Sequence, residues 1–170
     1  FSQTPTTKTL GEFSELKVYD LINVELIKAS ENKIIISGAN SNNINIIQKN
    51  STLKIRMKLK YKFNGAETQV KIYYTDIDII DANEGSYVFS KDIIKQYEIV
   101  LKAQEGSQIS IKTETKRLIV KSVTGSTITT KGTSENQKIK ITTGGVYKGA
   151  SNTVENTDLS IISGGKAAVK

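Results

Sequence analysis

Five cations fall on every second position of Leu53-Lys54-Ile55-Arg56-Met57-Lys58-Leu59-Lys60-Tyr61-Lys62-Phe63. On an extended strand, alternate side chains share a face. Lys54, Arg56, Lys58, Lys60 and Lys62 would then form a row about 27 Å long at roughly 3.4 Å per residue. Such a row matches a linear polyanion: an acidic glycan, a lipopolysaccharide or a phosphate backbone. Lysines also protect edge strands from aggregation, so the row reads first as a solvated edge and second as the candidate ligand surface. A second group, Asp76, Asp78, Asp81 and Glu84, has the oxygen chemistry of a Ca²⁺ site. A regular strand would put Asp76 and Asp78 on one side and Asp81 on the other, and no Asp-x-Asp-x-Asp-Gly loop is present. Charge balance against the basic row across a hairpin is the simpler role, and no metal is expected. Tyr61, Tyr73, Tyr74, Tyr87, Tyr97 and Tyr147 are the candidates for stacking on sugars, with core packing as their commoner use.

The residues missing from the chain exclude more chemistry than those present support. There is no His and no Cys, which removes Ser-His pairs, thiol nucleophiles, thiolate metal sites and disulfides. Gly144-Gly145 and Gly164-Gly165 lack the Lys-Ser/Thr that a phosphate loop carries. A β-helix polysaccharide lyase would cluster Asp, Lys and Arg in a groove, yet Arg56 and Arg117 are the only arginines. No catalytic residue and no cofactor are expected. The net charge is +7, of which residues 86–170 hold 13 basic and 7 acidic residues. With two arginines, that surface is poorly equipped for base readout, and no specific nucleic acid is expected.

The elements that must position these residues read as strands. The chain has 24 Ile, one Pro and abundant Thr and Ser, a β-forming balance. The alternation over residues 53–63 predicts one long half-buried strand, and Asn64-Gly65 predicts a tight reversal onto Val70, Ile72 and Tyr74. The parity slips near Tyr73-Tyr74, where a bulge or break is expected. From about residue 77 the chain repeats. An apolar strand precedes a Gly corner at Gly85, Gly106, Gly125, Gly144 and Gly164, spaced by 21, 19, 19 and 20 residues. A period near 20 with a Gly corner marks the rung of a β-solenoid. Gly supplies positive φ there, or room where a Cβ would clash. A meander of hairpins is the competing arrangement.

These motifs, taken in order, resemble the auto-transporter adhesin head GIN domain family of bacterial envelope proteins. Phe13-Ser14-Glu15-Leu16-Lys17-Val18 followed by Ile22-Asn23-Val24-Glu25-Leu26 resembles the family's opening. Leu53 to Tyr74 resembles its middle hairpin, and the five corners, with Lys131-Gly132-Thr133-Ser134, resemble its repeats. The first two corners differ in following Glu rather than Ser. The resemblance covers residues 10–170 and implies an all-β, right-handed, parallel β-helix-like solenoid, preceded by β-hairpins. A single domain over residues 10–170, after a flexible segment 1–9, is expected. Ala167-Ala168-Val169-Lys170 stops part-way through the pattern, so further rungs are expected beyond it. The resemblance implies a non-catalytic binding or adhesion module outside the cytoplasm, after removal of a signal peptide. Its expected partner is an envelope glycan or a surface protein. The alternative is a structural scaffold that forms homo-oligomers.

Overall fold

The computed structural model describes residues 4–170. In chain order the strands are β1 (Thr6–Thr9), β2 (Glu15–Val18), β3 (Asn23–Lys28), β4 (Lys33–Gly38), β5 (Ile44–Lys49), β6 (Thr52–Met57), β7 (Thr68–Tyr74), β8 (Ile79–Ala82), β9 (Tyr87–Ala103), β10 (Gln108–Val123), β11 (Thr127–Thr142), β12 (Val146–Ile162) and β13 (Lys166–Ala168). One-turn 3-10 segments lie at Ser41–Asn43 and Leu59–Tyr61. All strands join one sheet, which coils into a β-solenoid of about four turns.

Each layer is a strand, a two-residue corner and a second strand. Before the corner the neighbours run β6, β2, β8, β9, β10, β11, β12, all parallel. After the corner they run β7, β3, β9, β10, β11, β12, β13, again parallel. The four long strands β9 to β12 bend around the coil and so serve both columns. The stacking order departs from chain order at the N-terminal end, where β2 and β3 lie between the β6–β7 and β8–β9 layers. Antiparallel strands close that end: β5 on β6, β4 on β7 and β1 on β4. Inside, Leu53, Leu16, Ile80, Leu101 and Val120 stack one above another in register.

The corners explain the glycines. Glu84-Gly85, Glu105-Gly106, Thr124-Gly125, Thr143-Gly144 and Ser163-Gly164 all have positive φ at both positions. Two consecutive left-handed residues make the tight turn that reverses or sharply bends a strand, and Gly is the residue least penalised there. The corners bond to one another: Gly85 N–H to the Glu105 carbonyl (2.9 Å), Gly106 to Thr124 (3.1 Å), Gly125 to Thr143 (3.2 Å) and Gly144 to Ser163 (3.0 Å). A further corner, Asp20-Leu21, has φ of 59° and 63° without any glycine.

Just past three corners stand Ser86, Ser107 and Ser126, fully buried. Each hydroxyl bridges two layers. Ser107 Oγ accepts from Gln104 N–H at 3.0 Å and donates to the Ala82 carbonyl at 2.7 Å. Ser126 Oγ does the same between Val123 N–H (3.0 Å) and the Ala103 carbonyl (2.7 Å). Ser107→Ala takes one partner each from the part-buried Gln104 N–H and the Ala82 carbonyl, which stay bonded to each other at 3.1 Å, and should cost about 1 kcal/mol. Urea denaturation checks it: the midpoint should fall with an unchanged slope, and an unmoved midpoint would show that the hydroxyl bridge contributes nothing.

Three expectations need correction. The strand expected over residues 53–63 ends at Met57. Both neighbours of β6 run out there, since β2 stops at Val18 opposite Ile55 and β5 begins at Ile44 opposite Met57. Without a sheet to lie on, the period-2 pattern continues as a 3-10 turn, with Tyr61 N–H bonded to the Lys58 carbonyl at 2.7 Å. Consequently β6 and β7 do not form a hairpin around Asn64-Gly65. β6 pairs with β5 and β2, and β7 with β4 and β3. Finally, Thr6–Thr9 lie in β1 rather than in a flexible segment. Phe1 to Gln3 of that segment lie outside the described residues. The break expected near Tyr73-Tyr74 is present as the end of β7.

Candidate binding site

The basic row is divided by the end of β6. Lys54 and Arg56 stay on the strand, with their cationic groups 5.8 and 5.3 Å from the Tyr19 ring. Arg56 Nε also lies 3.8 Å from Asp20 Oδ2. Lys58, Lys60 and Lys62 belong to the following turn, so the five do not make one straight ladder.

The acidic residues do not converge either. The Gln96 amide donates to Asp76 Oδ1, and to Asp78 Oδ1 at 3.0 Å. Burial pushes the Asp78 carboxyl up, with Asp76 adding to the effect. Asp81 sits on β8 between Lys17 and Lys102 in register. Burial raises its carboxyl while an Asn83 hydrogen bond and the two lysines oppose the rise. Glu84 occupies its corner, 3.4 Å from Lys62 Nζ. Its carboxyl is raised by burial first and by Asp20 next. Among the described residues no group of three His, Cys, Asp or Glu could hold a metal ion. No β6–β7 hairpin forms to carry the expected charge balance, and the Glu84–Lys62 pair is the ion pair between the two groups among the described residues.

Strand register builds a basic column that spacing within single strands does not reveal. Lys54 pairs with Lys17, Lys17 with Asp81, Asp81 with Lys102, Lys102 with Lys121 and Lys121 with Lys140. Adjacent strands lie about 4.8 Å apart, so like charges in register repel. Lys102, Lys121 and Lys140 form no close ion pair among the described residues, whereas the bent middle face pairs Lys95 with Glu114 (3.2 Å), Lys116 with Glu135 (2.8 Å) and Arg117 with Glu98 (3.0 Å). The sequence signal was the spacing of 19 that the glycines share: 102, 121, 140.

A groove lies after the corner, where β7, β3 and β9 meet. Asn23 and Glu25 of β3 stand between Gln69 and Lys71 of β7 and Tyr87 and Phe89 of β9. Together they line an open groove of about 340 Å³. The Tyr87 and Phe89 rings stack with centroids 5.1 Å apart and planes 21° apart. Asn23 Nδ2 donates to the Ala66 carbonyl at 3.1 Å, and Glu25 lies 3.6 Å from Lys91 Nζ. Gln69 and Lys71 are exposed. A half-buried aromatic shelf beside amide, carboxylate and ammonium groups can pack against the C–H face of a sugar and bond its hydroxyls. Of the other tyrosines, Tyr74 and Tyr147 are buried and Tyr97 stands 67% exposed. Tyr73 lies under Lys33 and Tyr61 is half-buried.

The family model described as "Putative auto-transporter adhesin, head GIN domain" (DUF2807) matches residues 12–170. The chain belongs to this head GIN domain family. Solved structures share the fold at low identity. A "putative adhesin" from Parabacteroides distasonis has a TM-score of 0.76 at 17% identity, covering 98% of this chain and 81% of its own. A "putative adhesin" from Bacteroides fragilis has a TM-score of 0.75 at 12% identity, covering 96% and 95%. A "Putative lipid binding protein" from Parabacteroides distasonis has a TM-score of 0.67 at 12% identity, covering 97% and 81%. No curated protein matches the sequence. The head GIN fold therefore stands on both the family match and the structural relatives.

Proposed function

We propose that this head GIN domain is a non-catalytic adhesion module that works outside the cytoplasm and binds an envelope glycan in the groove of β7, β3 and β9. The observation that carries the reading is the Tyr87–Phe89 shelf set in register with Asn23, Glu25, Gln69 and Lys71. An aromatic shelf with flanking hydrogen-bonding groups on a rigid sheet orients a pyranose without doing chemistry on it. The adhesin names of the family and its solved relatives support the class of function and the extracytoplasmic setting. An open groove serves one or a few sugar units of a longer chain, so weak single-site binding strengthened by multivalency is expected.

The test is a glycan array followed by calorimetric titration of the best ligand. Tyr87→Ala and Phe89→Ala should each weaken binding about tenfold or more, the scale of a lost aromatic stacking contact. Gln69→Ala should weaken it less. Wild-type affinity in both aromatic variants would dismiss the groove as the glycan site.

A further inference from the structure

Leu59 is 87% exposed and Phe63 is 51% exposed, although both fall on the apolar side of the alternating segment that β6 begins. They sit on one short loop with Lys58, Lys60 and Lys62. Two large apolar side chains exposed on one short loop are grouped rather than scattered, and such groups mark contact surfaces. The loop nonetheless has a fixed shape. Lys58 N–H donates to the Asn43 carbonyl (2.7 Å), Asn64 N–H to Tyr61 (3.0 Å) and Gly65 N–H to Asp20 (3.1 Å). Lys58 Nζ donates to the Asn42 carbonyl at 3.0 Å, and Asn40 Nδ2 to the Asn64 carbonyl at 3.3 Å. Phe63 holds a φ of 64°, which is unfavourable for an aromatic residue and is retained where the surroundings impose it.

We infer that the 58–64 loop is a membrane-docking tip that inserts Leu59 and Phe63 into a lipid surface bearing anionic headgroups. The alternation of charge and apolar bulk decides the occupant. Along the loop each exposed apolar side chain is flanked by lysine, Lys58 and Lys60 around Leu59 and Lys62 before Phe63. An anionic bilayer satisfies both sets together: Leu59 and Phe63 enter the acyl boundary while the lysine stems extend to headgroup phosphates. A protein partner would have to desolvate the lysines, and the cores of protein interfaces are depleted in them. Among the described residues, Lys58 and Lys60 form no ion pair, and Lys62 forms one, with Glu84. Lys62 Nζ also lies 4.8 Å from the Phe63 ring and Lys60 Nζ 5.9 Å from that of Tyr61, which holds both cations beside the aromatic rings they accompany. This contact is separate from the glycan groove, so one site can fail while the other stands.

Co-sedimentation with two vesicle types tests the inference, one of phosphatidylcholine alone and one of phosphatidylcholine mixed with phosphatidylglycerol. The protein should partition onto the mixed vesicles and far less onto phosphatidylcholine. Leu59→Ser with Phe63→Ser should lower partitioning about tenfold or more, the scale of two apolar side chains withdrawn from lipid. Lys58→Gln, Lys60→Gln and Lys62→Gln together should remove the preference for the anionic vesicles. Both variants change exposed side chains, and thermal melting confirms that they remain folded. A Phe63→Trp variant gives a second reading, because its emission should shift to the blue on adding mixed vesicles. No partitioning of the wild type, or partitioning that survives the Leu59/Phe63 change, overturns the inference. Capture of a soluble protein through Leu59 and Phe63, without vesicle binding, would also overturn it.

Discussion

Gly132→Ala should be among the most damaging single substitutions in this solenoid, while Gly125→Ala, seven residues earlier, should be mild. Gly132 lies in β11 between Thr113 of β10 and Asn152 of β12. Its φ is 124°, a region that side chains carrying a Cβ seldom enter. A Cβ there would also overlap the Thr113 carbonyl, a backbone atom fixed by the parallel ladder. Backbone strain and overpacking each cost about 1–3 kcal/mol, so about 2–6 kcal/mol is expected in all. That is a large part of the roughly 10 kcal/mol by which a domain is stable, and it corresponds to a melting point lower by about 10 °C. Gly125 has a φ of 70°, yet a Cβ added there would meet no atom within 4 Å. Only the left-handed penalty of about 1–2 kcal/mol applies. Melting curves of the two variants separate the causes. Equal losses would mean that φ alone governs these glycines and that the Thr113 contact relaxes freely.

This contrast shows where the sequence was legible. The five corner glycines could be read from their period, because positive φ in a stacked corner demands the same residue at each turn. For Gly106, Gly125, Gly144 and Gly164 that backbone demand is the whole reason, since a Cβ at any of them meets nothing. The Asp20-Leu21 corner could not be read, because Leu21 takes the left-handed position without the glycine that would announce it. The order of the first layers was equally hidden. Placing β2 and β3 between later strands depends on long-range pairing, which leaves no local pattern. The basic segment misled for a related reason. Perfect alternation states how a strand would bury its side chains, yet whether a strand forms depends on a neighbour to bond it. β2 and β5 provide that neighbour only as far as Ile55 and Met57. Beyond that point the same alternation puts Leu59 and Phe63 in solvent, and three of the five cations of the expected ligand row fall on the loop on which they stand.

Tyr147→Phe should cost about 2–3 kcal/mol although it removes one oxygen atom and opens no large cavity. Tyr147 is fully buried in the later turns of the solenoid. Its hydroxyl lies 2.7 Å from Thr130 Oγ1, donates to Gln137 Oε1 at 3.2 Å and accepts from Asn152 Nδ2 at 2.8 Å. Thr130, Gln137 and Asn152 are themselves buried. The interior here is a polar network, in contrast to the Ile and Leu columns of the earlier layers. Networks of this kind hold only while their members satisfy one another, and removal of the hub leaves several groups short of a partner. Burial raises the Tyr147 hydroxyl above the ordinary tyrosine range, against the pull of the Thr130 and Asn152 hydrogen bonds. A raised acid favours the folded state in its neutral form. Its contribution is therefore complete below the unfolded tyrosine value near 10 and is lost as pH rises through the folded value. Tyr147→Phe should accordingly lower the melting point by roughly 5–10 °C at neutral pH and lessen the further loss in alkali. Adding Thr130→Val should recover part of the neutral-pH loss, because removing both members of a buried pair costs less than stranding one. A double variant less stable than the sum of its two single changes would show that the threonine serves Asn152 more than the tyrosine, and that the hydroxyl is not the hub.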